Sequence, residues 1–188
     1  MKRDFPPEEL RPFASMQSLY QAGRYQSYGL FDEAETLLGY ACFARIRQSY
    51  LFDYLAILPD RRDSGMGSAF LSLLRDALQD AACIIGEVED PDREEDPAAR
   101  EQKARRMRFY LRAGYRQTGV RCRLFGVDYQ ILTASFLAPC SPEEIARLYG
   151  DLYRSWLPEA VFQKKVEIFL PGPEDGAAAA PLFRARIV

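Results

Sequence analysis

Between Leu55 and Phe70 the chain reads LAILPDRRDSGMGSAF, an apolar run closed by Pro59, then Arg61, Arg62 and a turn holding Gly65 and Gly67. Met66, Ala69, Phe70, Leu73, Leu74, Ala77 and Leu78 follow at helical spacing, so a strand, a glycine turn and a helix come in that order. Such a turn aims the unpaired first amides of a helix at one point, and the helix dipole adds positive potential there. Phosphate is the ligand that suits it. Gly65 and Gly67 let the backbone approach closely, and Arg61 or Arg62 is placed to supply charge. The spacing is neither GxxxxGK[ST], which excludes a P-loop, nor the GxGxxG of dinucleotide folds. By itself the turn reads more readily as an ordinary helix start than as a phosphate site.

The rest of the inventory is narrow. There is no histidine, which removes His-based triads, HExxH zinc sites and imidazole acid–base catalysis. Chemistry falls to carboxylates, Tyr, Lys, Cys or backbone. Cys42, Cys83, Cys122 and Cys140 form no CxxC pair, so they read as reduced thiols and no metal is expected. The 188 residues are 48% hydrophobic and 28% charged, the range of a globular domain that buries its own core. Net charge is −2 with a pI near 5.4, so any anion site must be local; neither a nucleic acid nor a membrane surface is an expected partner. No apolar leader or spanning stretch is visible, which points to the cytoplasm.

The elements around the turn follow from periodicity. A helix is expected after Pro6-Pro7, delayed by Pro12 and ended by Gly23, then strands over Tyr25–Phe31 and Leu37–Ile46 split by a polar connection from Asp32 to Glu35. Leu51–Leu58 reads as a central strand covered on both faces, and Ala82–Val88 as a second one, parallel to it through a right-handed crossover. Asp90–Pro97 reads as a solvated acidic loop and Ala98–Ala113 as a helix with a basic side. Val120–Phe125 and Val127–Phe136 close the sheet around Gly126, Pro142–Trp156 is a helix opened by Ser141, and Pro171–Ala180 is expected to be a loose tail. The domain reading is therefore 1–156, with a C-terminal extension and tail over 157–188.

Arg62-Asp63-Ser64-Gly65-Met66-Gly67, after a strand ending Leu55-Ala56-Ile57-Leu58-Pro59, resembles the R/Q-x-x-G-x-G/A signature of the GNAT family of N-acetyltransferases. Glu87-Val88 and Phe109-Tyr110-Leu111-Arg112-Ala113-Gly114-Tyr115 resemble that family's LEV and LYxxxGF segments, in the same order. The likeness covers roughly Phe5 to Phe136. It implies an α/β (α+β) fold: a mixed, strongly twisted sheet with helices on both faces and a splayed central parallel strand pair that takes acetyl-CoA as cosubstrate. By resemblance the pyrophosphate is held at Arg62, Asp63, Gly65, Met66, Gly67 and Ser68, and the pantetheine arm pairs with the backbone of Ala56, Ile57 and Leu58. The pattern departs at Lys103, where members that acetylate alanine often carry Asn, and through the longer stretch from Glu87 to Tyr110. The N-terminus is short for the family's first strand, which leaves a sheet one strand short or an edge covered by a second copy in a homodimer.

The implied reaction is transfer of an acetyl group from acetyl-CoA to the primary amine of a small molecule or protein. Tyr110 is then the donor to the leaving sulfur; read from the helix alone it is equally a packed aromatic. Glu87 is the base candidate, an acid on an apolar strand, with Glu89 on the same face; both also read as a solvated strand end. Asp53 is the reserve base or a solvated strand start. Arg105, Arg106, Arg108 and Arg112 face an anion or simply water. The alternative is a GNAT-like domain that binds acyl-CoA as a sensor, or serves interaction, without turnover.

Overall fold

The computed structural model describes residues 1–5, 9–62, 64–135 and 139–172. It divides into two compact units, Met1–Ala81 and the chain from Ala82 onward.

The first unit runs α1 (Phe13–Gln21), β1 (Tyr25–Phe31), β2 (Leu37–Ile46), β3 (Ser49–Ile57), a 3-10 turn (Pro59–Arg61) and α2 (Met66–Ala77). β1 pairs antiparallel with β2 from Tyr25 opposite Ala44, and β2 with β3 from Ile46 opposite Ser49. The core forms where leucine, aromatic and small residues meet: Ala41, Phe43, Ala44 and Leu51 are wholly buried, and Phe43 stacks on Phe52 at 4.5 Å. α1 begins only after Pro12, whose ring sets φ at −53° and whose missing N–H costs nothing at a helix entry. Pro6 and Pro7 lie outside the described residues.

Two expectations need correction here. β3 alternates, with Leu51, Phe52, Tyr54 and Ala56 buried and Asp53, Leu55 and Ile57 half-buried, so its faces are not equally covered. α2 buries Phe70, Leu71 and Leu74, with Leu78 buried just past its end, while Leu73 is 56% exposed. The apolar residues at 70, 71, 73 and 74 span more than one stripe, and periodicity alone could not tell Leu71 from Leu73.

The second unit runs β4 (Cys83–Glu89), a 3-10 turn (Pro91–Arg93), α3 (Pro97–Arg112), β5 (Arg116–Leu124), β6 (Val127–Ser135), α4 (Pro142–Arg154), α5 (Glu159–Lys165) and β7 (Val166–Phe169). Its strands lie in the order β4-β6-β5-β7, every pair antiparallel. β5 and β6 are joined by Phe125 and Gly126 at φ 51° and 92°, the paired positive φ values that a tight hairpin demands. α4 opens on a capping box: the Ser141 hydroxyl accepts from the Glu144 amide while the Glu144 carboxylate accepts from the Ser141 amide.

The acidic loop is not simply solvated. Asp90 is 2% exposed and accepts from Gln130 Nε2 at 2.7 Å and from the Asp92 amide, and Asp96 caps α3 by accepting from Ala99 N at 2.7 Å. The helix after it starts at Pro97 and the strand expected from Val120 starts at Arg116. Residues 157–172, read as part of an extension, supply α5 and β7: Ile168 is buried opposite Cys122, and the Arg154 guanidinium lies 4.5 Å over the Phe162 ring. Phe136 and the tail from residue 173 lie outside the described residues.

Candidate functional site

The glycine turn of the first unit has the geometry that its residue types call for. β3 ends with Ala56 opposite Tyr40 and Ile57 opposite Gly39, and the Leu58 amide donates to Leu38 O at 2.9 Å. Pro59 opens the 3-10 turn and Arg62 is extended, its Nε donating to Ile57 O at 3.1 Å. Part of the backbone at Ile57 and Leu58 is thus engaged within the unit. The Ser64 hydroxyl donates to Arg61 O at 2.7 Å, and Gly65 caps α2 from the left-handed region at φ 82°.

That φ favours glycine, and a Cβ built on Gly65 would meet none of the described residues within 4 Å. Gly65 O takes the amides of Ser68 and Ala69 at 3.1 Å each. Met66 and Gly67 sit in the first turn, where helical amides have no partner within the helix. Arg61 and Arg62 are exposed beside them. Amides, dipole and two guanidinium groups in this arrangement have the chemistry to attract a phosphate or another oxyanion. Of the residues singled out in the sequence, Asp63 lies outside the described ones.

In the second unit, Glu87 is enclosed by groups that its position in the sequence does not announce. Both the Tyr149 and the Tyr153 hydroxyls donate to Glu87 Oε1, the latter at 2.7 Å. The two tyrosines are four residues apart on α4, hence on one face, with rings 4.9 Å apart. Tyr149 is wholly buried and its hydroxyl also lies 3.1 Å from Cys122 Sγ. Burial, first, and then the neighbouring Cys122 and Glu87 push the Tyr149 phenol well up, so it stays protonated; burial does the same to the Cys122 thiol. Cys83 and Cys122 are buried and Cys140 half-buried, all free thiols. Glu89 shares the strand but not the partners: it pairs with Lys103 at 3.2 Å and Arg106 at 3.1 Å, both from α3.

Tyr110 lies in the last turn of α3, half-buried between Phe109 at 5.2 Å and Tyr115 at 5.5 Å. Gly114, at φ 87°, ends the helix and lets the Tyr115 amide return to Tyr110 O at 3.1 Å. Burial pushes the Tyr110 phenol up to about 12, so at neutral pH it is a donor. Lys103 is bound between Glu89 and Glu94, and the hydrogen bond to Glu94 chiefly raises its pKa; it serves the acidic loop. Arg106 and Arg108 are paired with Glu89 and Glu101, so this part of the basic helix face is an ion-paired surface.

Asp53 is not a solvated strand start. Its side chain is 7% exposed and takes Arg11 Nη2 at 2.9 Å, Arg11 Nε at 3.2 Å and the Tyr25 hydroxyl at 2.6 Å. Burial first and the Asp53 charge next drive the Tyr25 phenol far up, so it too stays protonated. Arg11, Tyr149 and Tyr153 are the residues that sequence reasoning missed. Only Tyr149 and Tyr153 left a trace, as phenols at helical spacing.

Among the described residues no group of His, Cys, Asp or Glu is arranged to hold a metal ion, and no helix is long and apolar enough to cross a membrane. No family model and no curated protein matches the chain in sequence. Solved structures do match in fold. A protein from Bacteroides thetaiotaomicron assigned as a GNAT-family acetyltransferase aligns over 81% of this chain and 83% of its own, at 22% identity and a TM-score of 0.61. A chimera of the spermidine N-acetyltransferase SpeG from Vibrio cholerae and hSSAT aligns over 64% and 73%, at 14% identity and TM-score 0.52. The V. cholerae spermidine N-acetyltransferase in complex with CoA and spermine aligns over 67% and 76%, at 14% identity and TM-score 0.50.

Proposed function

We propose, from the GNAT acetyltransferase fold that these likenesses establish, that the chain is an acetyl-CoA-dependent N-acetyltransferase acting on a primary amine. The observation that carries the reading is the left-handed Gly65 cap, with none of the described residues within 4 Å of where a Cβ would stand, at the head of α2 directly after β3. The residues fit a pyrophosphate: the amides of Gly65, Met66 and Gly67 with the exposed Arg62 would hold it, the Ser68 amide being taken by Gly65 O, and the backbone of Ala56–Leu58 would line the arm of the cosubstrate. Bound acetyl-CoA supplies an acetyl group activated as a thioester.

The chain's own residues then manage protons. Amide formation needs a proton removed from the attacking ammonium and the departing sulfur stabilised. Glu87 is the acceptor of the ammonium proton in this reading. Tyr110 would be the donor to the sulfur in this reading. A phenol at about 12 holds its proton more tightly than an ordinary thiol, whose pKa is about 8.5. Tyr110 therefore stabilises the developing thiolate by hydrogen bonding, with solvent completing the protonation. The acceptor is a small molecule or a protein amine, the protein works in the cytoplasm, and a second copy covering a sheet edge is part of the same reading. The chemistry calls for no metal.

A second reading is favoured by one specific observation. Glu87 and Asp53 are both engaged, by Tyr149 with Tyr153 and by Arg11 with Tyr25, which is compatible with a non-catalytic acyl-CoA sensor. A panel of primary amines, assayed by thiol release from acetyl-CoA, separates the two. Amine-dependent release supports the transferase. Binding of acetyl-CoA with no release for any amine supports the sensor.

A further inference from the structure

On β4, Glu87 accepts hydrogen bonds from two phenols, and those phenols come from a helix outside the stretch that resembles the acetyltransferases. Tyr149 and Tyr153 deliver two hydroxyls to the same oxygen, Oε1. Such convergence favours one carboxylate rotamer, because turning it away would break two buried hydrogen bonds at once. The rings cannot drift either: Tyr149 is wholly buried, Tyr153 is 4% exposed, and Trp156 packs edge-on against Tyr153 at 5.3 Å. α4 is itself anchored by its capping box and by buried Ile145, Ala146 and Leu152.

We propose that Tyr149 and Tyr153 are positioning residues for Glu87, holding its carboxylate in one orientation on β4 and setting how readily it takes a proton in the acetyl-transfer step. This rests on the transferase reading above. The groups around Glu87 make the sign of the effect plain. From α4 come Tyr149 and Tyr153, both neutral donors; from β5 comes the Cys122 thiol, itself raised by burial; from β6 the residue opposite is Ile131, which carries no charge. On β4 itself, Glu89 is neutralised by Lys103 and Arg106. Phenol donors favour the ionised carboxylate, so removing one shifts Glu87 toward its protonated form.

The test uses the full chain with 13C-labelled glutamate carboxyls, the Glu87 resonance being identified by its loss in Glu87→Gln. Tyr153→Phe and Tyr149→Phe keep the rings and remove one hydroxyl each. Each is expected to raise the pH at which Glu87 titrates by about one unit. The acid limb of kcat/KM for a responsive amine should rise by the same amount, with acetyl-CoA affinity unchanged. Glu87→Gln should lack that limb altogether. A Glu87 titration identical in wild type and both variants overturns the proposal, and so does a shifted titration that leaves the kinetic limb in place. Failure of the transferase reading would show itself separately, as no thiol release with any amine in wild type. The resonance would then still report whether the phenols hold the carboxylate.

Discussion

Arg11 closes on Asp53 with two nitrogens, Nη2 at 2.9 Å from Oδ1 and Nε at 3.2 Å from Oδ2, across 42 residues of chain. The Arg11 amide also donates to the Tyr54 hydroxyl at 2.7 Å, and that hydroxyl donates to Glu9 O. The segment ahead of α1 is thereby tied to the middle of β3. Buried pairs are costly to break one partner at a time, by about 3–5 kcal/mol, because the other charge stays buried. Arg11→Met should lower unfolding stability by about that much in urea titrations. A loss below about 1 kcal/mol would mean that water already screens the pair.

Tyr110 offers a pH test as well as a mutational one. If its hydroxyl stabilises the leaving sulfur, Tyr110→Phe should lower kcat by about 10²-fold while acetyl-CoA affinity stays near that of the parent. Because burial holds the phenol near 12, wild-type activity should show no falling alkaline limb near pH 10, where an ordinary tyrosine ionises. A Phe variant with full turnover reduces Tyr110 to a packing residue of α3.

The acidic loop predicts an acid-side effect. Glu94 is depressed below the usual carboxylate range, chiefly by its hydrogen bond from Lys103, with the Asp96 amide adding to it. A depressed carboxylate stabilises the fold at neutral pH, and that stabilisation disappears as pH falls through the folded-state value. Melting temperature followed from pH 7 downward should therefore drop more steeply in wild type than in Glu94→Gln. Parallel curves would show that Lys103 relies on Glu89 alone.

What the sequence made legible was local. β1 and β2 match their expected bounds, since two short runs split by the polar connection at Asp32–Glu35 mark a hairpin with no help from the rest of the fold. The strand, glycine turn and α2 were legible for the same reason. Arg11 on Asp53 was not, because nothing within a few residues of either announces a partner 42 positions away. The exchange of Leu71 for Leu73 in the core reflects an apolar surface wider than one stripe, and β7 is too short, at four residues, to carry a pattern. Glu87 was found by resemblance, but its phenol partners belong to α4, which the resemblance does not reach.

Whether the turn before α2 holds the pyrophosphate of acetyl-CoA is decided by calorimetry on Gly67→Glu. An acidic side chain in the first turn of a helix favours the helix dipole, so this variant should fold at least as well as the parent. The same carboxylate would stand beside the amides that the phosphates need. Saturable acetyl-CoA binding is expected in wild type, with a loss of at least about 10²-fold in Gly67→Glu and its melting temperature unchanged or higher. Equal affinity in the two folded proteins would contradict it.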